Sequence, residues 1–138
     1  MDFTGPIIGG TVVCVFALIG SRRQAGQALQ DKPEDLLTFS TTAPRLEIYQ
    51  IARRYAQQAN MKVEDIEDVS ATEVRIILGQ NSRGFHNGFW LPIYVRERPG
   101  SPTFVEVGIK SKTVQMSFAL TMIRNKAAKE LKAMLPVV

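Results

Sequence analysis

One cysteine, one histidine and one tryptophan occur in 138 residues. The single thiol, Cys14, excludes an internal disulfide and agrees with a reducing compartment. The single histidine, His86, excludes multi-histidine metal sites, and the one cysteine sits in an apolar run, so zinc has no ligand set to draw on. Neither a Gly-x-Gly-x-x-Gly stretch nor a P-loop pattern occurs, which removes the common nucleotide-cradling fingerprints. Glu64 to Asp68 lacks the central glycine and ligand spacing of a calcium loop. His86 lies in Arg83-Gly84-Phe85-His86-Asn87-Gly88 with no nucleophile in triad order. Asp65, Glu67 and Asp68 share one short segment, whereas glycosidase chemistry needs two carboxyls facing each other across a cleft. The sequence therefore predicts no enzyme, no catalytic residue, no cofactor and no metal. Repeats and low-complexity tracts are also missing, which excludes modular arrays.

Charge is absent from one long stretch, Phe3 to Gly20. Its apolar residues include Ile7, Ile8, Val12, Val13, Val15, Phe16, Leu18 and Ile19. About 18 residues rising about 1.5 Å each span about 27 Å, near the lower limit for crossing a hydrocarbon core. Residues 1–23 are thus expected to form a single transmembrane anchor. A cleaved secretory signal would begin with basic residues, but Met1-Asp2-Phe3-Thr4 is acidic and the basic pair Arg22 and Arg23 follows the run. A buried core helix is the competing reading. The positive-inside rule places Arg22 and Arg23 among the cytoplasmic headgroups, and with them the rest of the chain. Gly5, Gly9, Gly10 and Gly20 give the segment the small faces that packed membrane helices use.

The remainder has the composition of an ordinary globular domain and is long enough for one core. A net charge of +4 suits nucleic acid, but anionic lipid headgroups attract Lys and Arg equally. Residues 24–35 read as a linker that continues the anchor helix by two turns until Pro33. Residues 36–138 read as one α+β domain. Leu36 to Ser40 is the first strand, with Leu37 and Phe39 on one face. Thr41-Thr42-Ala43-Pro44 supplies a hydroxyl cap and a first-turn proline, and Ile48, Ile51, Ala52, Tyr55 and Ala59 form the stripe of the helix that follows. Asn60 ends it. Arg53 and Arg54 lie off that stripe, on a solvated face or in contact with a phosphate.

Four strands come next: Met61 to Asp68, Glu73 to Leu78, Phe89 to Arg98 and Thr103 to Lys110. Pro92 lacks a ladder donor, so its strand is expected at an edge or bulged. A last helix runs from Met116 to Pro136 with Leu120, Ile123, Ala127, Leu131 and Met134 inward and Arg124, Lys126, Lys129 and Lys132 on its other faces. The order is β-α-β-β-β-β-α, an antiparallel sheet covered by two helices.

Arg83, Phe85, His86, Phe89 and Trp90 concentrate rings and donors within eight residues. Such a set suits a protein-contact hot spot, a stacking platform or a lipid interface, or else folds its own rings into the sheet edge. The reading adopted is a membrane-anchored accessory or assembly subunit. It acts by protein contact at the cytoplasmic face, with membrane lipid and a larger membrane complex as partners and nucleic acid disfavoured. The alternative is a lipid or small-ligand module with a pocket between the sheet and the last helix.

Overall fold

The computed structural model describes residues 25–81, 88–113 and 118–137. The expected anchor, residues 1–23 with Arg22 and Arg23, lies outside the described residues. Among the described residues no helix is long and apolar enough to cross a membrane.

The chain is α+β, built on a six-stranded antiparallel sheet. A helical turn at 25–28 precedes strand β1 (Leu37–Thr41), helix α1 (Arg45–Gln58), strands β2 (Lys62–Asp68), β3 (Glu73–Gln80), β4 (Phe89–Arg96), β5 (Thr103–Val107) and β6 (Lys110–Ser111), and helix α2 (Phe118–Met134). The spatial order is β1-β5-β4-β3-β2, and β6 pairs with β4. Period-two alternation decides the faces. Val74, Ile76 and Leu78 of β3 and Phe89, Leu91, Ile93 and Val95 of β4 enter the main core with Val105 and Val107, while Ile77 and Trp90 point to the back.

Both helices cover the front. α1 packs on β2, β3 and β4, and α2 on β1 and β5. Arg124 bonds the Asp35 carbonyl at the start of β1 and Thr41 bonds the Pro136 carbonyl at its end, so α2 runs along β1. α1 starts beyond Thr41 and ends where Gln80 donates to the carbonyls of Ala59 and Asn60, so the two helices are antiparallel. Ile48, Leu120, Ala127 and Leu131 are each 0–2% exposed, and a Leu or Ile buried this fully contributes about 1.5–3 kcal/mol.

Local chemistry sets the boundaries. Asn60 has φ 60°, the left-handed conformation that closes helices and that Asn tolerates better than most residues. The expected hydroxyl cap of α1 is not formed. Pro44 occupies the cap position, and Thr41 Oγ1 instead accepts from the Ala43 amide in the turn before it. The acidic edge strand β2 carries a register shift between Val63 and Asp65; charge and a bulge both protect an edge from pairing with another chain.

Pro92 does not lie at an edge: β4 is central, between β5 and β3. The ladder is interrupted instead. β5 pairs with Ile93–Arg96 and β6 with Phe89–Trp90, leaving the β5–β6 side of Pro92 opposite Gly108 and Ile109. The Gly108 amide donates to the Pro92 carbonyl at 3.0 Å, and a strand residue's nitrogen and carbonyl point the same way. The missing donor therefore falls where the strand expected from Thr103 to Lys110 divides in two. Arg124, expected off the inward stripe of the last helix, is nonetheless buried, at 6% exposure.

Candidate functional site

The aromatic loop is divided by the strand that receives it. Arg83, Phe85 and His86 lie outside the described residues. Phe89 is fully buried under the helices and Trp90 is 6% exposed on the back face. Neighbours on a strand point to opposite faces, so these two rings belong to different layers and neither forms an exposed patch.

The back face is covered by the stretch that reads as a linker. Ala25 and Leu29, at 0% and 1% exposure, pack with Ile77 and Trp90 in a second apolar cluster. Side chains of the folded domain hold the backbone of this strap. Arg75 Nη1 donates to the Leu29 carbonyl at 2.7 Å, Lys110 Nζ to that of Ala28 at 2.6 Å and Arg124 Nη1 to that of Asp35 at 2.8 Å. Arg75 also pairs with Glu67, and Arg124 with the Asp35 carboxylate. The anchor helix is expected to continue to Pro33, but among the described residues the helical turn ends at Ala28 before the chain turns across the sheet.

Within the strap, Lys32 lies 2.9 Å from both Glu73 and Glu106, and Arg96 approaches the same two carboxylates at 3.6 Å. Burial works to lower the Lys32 pKa, but its hydrogen bonds to Glu73 and Glu106 and their charges outweigh burial and raise it. The Lys32 ammonium also sits 4.7 Å from the centroid of the Tyr94 ring. Burial pushes the Tyr94 hydroxyl up to about 12, Arg75 opposes the shift, and Glu106 and Glu73 add to it. Near Trp90, Lys112 stands 5.6 Å over the indole and pairs with the buried Glu64 at 3.1 Å. These pairs alternate in sign and hold the back face together. Among the described residues no group of three or more His, Cys, Asp and Glu side chains converges as metal ligands would.

The helical face has the opposite character. The exposed positions of α2 are Phe118, Met122, Asn125, Lys126, Lys129, Lys132 and Ala133. At about 100° per residue they fall in a stripe about 120° wide, opposite Leu120, Ala127 and Leu131. Lys126, Lys129 and Lys132 make no ion pair among the described residues. The helix's one carboxylate, Glu130, is half-buried and stands near Tyr55, whose hydroxyl burial first and then Glu130 push up to about 12. Exposed Arg53 and Arg54 on α1 likewise make no ion pair among the described residues.

Cavities open at the borders of the fold. One of about 470 Å³ lies between the end of α1 and the β2–β3 strands, lined by Asn60, Met61, Gly79 and Gln80. Another of about 400 Å³ lies between the strap and α2, with Asp31, Lys32, Asp35, Lys110 and Arg124 in its wall. A third of about 320 Å³ is bounded by Ser40, Arg96, Arg98 and Phe104.

Missed from the sequence were Lys32, Arg75, Lys110 and Arg124 as strap contacts, and Phe118 and Met122 at the head of the lysine stripe. Ala25, Ala28 and Leu29 at helical spacing among Gln24, Gln27 and Gln30 were the available signal for the strap. The lysine spacing was equally visible.

No family model matches the chain, and no curated protein matches it. A similar solved structure is the crystal structure of the vertebrate conserved region (VCR) of human METTL16, at 11% identity and a TM-score of 0.49, covering 86% of this chain and 89% of that one.

Proposed function

We propose that the chain is a membrane-held accessory subunit that works by contact, positioning a partner at the cytoplasmic face of a membrane. One observation carries the reading. From Ala25 onward the chain is packed into the back of the sheet, with Leu29 buried and three cationic side chains on the strap's carbonyls. A freely tethered domain needs a polar, flexible connector. A strap stitched down in this way instead ties the domain to whatever precedes Ala25, and in the sequence that is the uncharged run Phe3 to Gly20. Fixed placement serves an assembly role, because interfaces lose affinity when their parts must first be ordered.

The test is co-purification of the C-terminally tagged full chain in mild detergent, beside a variant with a flexible Gly-Ser spacer inserted between Gln24 and Ala25. Capture of a defined membrane complex by the full chain, reduced by the spacer, is the expected result. A chain that emerges alone in both forms overturns the proposal.

A further inference from the structure

Phe118 and Met122 are 79% and 57% exposed, one turn apart at the start of α2. Lys126, Lys129 and Lys132 continue the same stripe, exposed and without an ion pair among the described residues. From Phe118 to Lys132 the stripe is about 21 Å long at about 1.5 Å per residue. It contains no carboxylate, although elsewhere this chain pairs its cations closely, as at Lys32, Arg75, Lys112 and Arg124. We infer that this face of α2 seats on an anionic lipid bilayer, with Phe118 and Met122 entering the interface and the three lysines reaching the headgroups. The inference rests on the reading that the domain is held at a membrane.

Charge complementarity requires a negative partner, and the kind of cation narrows its chemistry. Lysine is a compact point charge on a flexible apolar stem, suited to a diffuse anionic surface, whereas nucleic acid and discrete phosphates favour the bidentate fork of arginine. Phenylalanine and methionine at one end of a basic helix face are the apolar payload of an interfacial helix. Each lysine near such a surface adds about fivefold to the docked population, and three together about a hundredfold. Arg53 and Arg54 on the antiparallel α1 extend the positive field of the same layer.

The test uses the full chain with Cys14→Ser and Met122→Cys, an environment-sensitive fluorophore on residue 122, reconstituted into vesicles. The expected result has the chain floating with both phosphatidylcholine vesicles and mixed phosphatidylcholine–phosphatidylserine vesicles. Only in the mixed vesicles does the emission shift to the blue and respond to a lipid-borne quencher. The combined Lys126→Gln, Lys129→Gln and Lys132→Gln variant then abolishes the shift while flotation persists.

A chain that floats in both while its label stays in water overturns the inference and leaves the membrane reading standing. A chain that floats with neither vesicle overturns both. A label shielded on adding a single-stranded oligonucleotide without vesicles assigns the face to a nucleic-acid partner and overturns the lipid docking.

Discussion

Arg75 reaches through the back of the sheet to Leu29, its Nη1 donating to the Leu29 carbonyl at 2.7 Å while its other terminal nitrogen pairs with Glu67. The bond turns a stretch of linker-like composition into part of the domain, because a buried carbonyl must find a donor somewhere.

Leu29→Ala should therefore behave as a core substitution. Leu29 is 1% exposed against Ile77 and Trp90, and truncating a buried leucine costs about 2–4 kcal/mol. Thermal unfolding of the full chain in mild detergent measures the loss, and hydrogen exchange shows faster opening of the amides at 25–35. If those amides already exchange freely in the unaltered chain, the strap is not docked.

How much of this was legible depended on whether the governing neighbour was local. Val74, Ile76 and Leu78, or Phe89, Leu91, Ile93 and Val95, announce their face through period two alone, so the strands, both helices and the α+β class could be read from sequence. The place of β4 could not, because whether Pro92 faces a neighbour depends on β5 and β6, which lie later in the chain. Arg124 reads as lying off the inward stripe of α2, grouped with the lysines of its other faces. It is buried only because Asp35, far away in sequence, places a carbonyl and a carboxylate against it. Phe89 and Trp90, close together at the end of the aromatic loop, fall on opposite faces of β4 by the same period-two rule and enter different layers.

Asn60, at φ 60°, gives a test of the α1 terminus. Asn60→Gly should be neutral or slightly stabilising, since glycine adopts this conformation without a Cβ clash, while Asn60→Ala should cost about 1–2 kcal/mol. The Gln80 bond to the Asn60 carbonyl is to backbone and survives both changes. Equal stabilities for the two variants, measured by denaturant unfolding, would show that the helix end relaxes out of the left-handed region.

Tyr55 and Tyr94 make the fold sensitive to alkali. Both hydroxyls are pushed from 10.0 to about 12, burial being the first cause in each. The unfolded chain releases these protons near pH 10 and the folded chain near 12, so their contribution is complete below pH 10 and is lost as pH rises through about 12. Absorbance titration should find two of the three tyrosines ionising near pH 12. The Tyr94 hydroxyl has no hydrogen-bond partner among the described residues, so Tyr94→Phe should leave stability at neutral pH unchanged or higher and flatten the alkaline loss. A large loss at neutral pH would mean that the hydroxyl is bonded in solution.

Gly79 and Gly26 should respond in opposite directions to the same added methyl. A Cβ at Gly79 would overlap the Glu64 carboxylate, which is 3% exposed and held by Lys112 at 3.1 Å. The carboxylate lies at the end of a side chain, but its burial and its partner leave it little room to move. Gly79→Ala should therefore cost about 1–3 kcal/mol, as overpacking does. Among the described residues a Cβ at Gly26 meets only Arg75 Nη2 at 3.8 Å, an ordinary contact in a helical turn. Gly26→Ala should stabilise by about 0.4–1 kcal/mol by narrowing the unfolded ensemble. Denaturant unfolding of both variants checks the pair, and adding Glu64→Ala to Gly79→Ala separates the causes. If the clash with Glu64 is what destabilises, the methyl at residue 79 costs little once that side chain is shortened; if the methyl remains as costly, the strain lies in the β3 backbone instead.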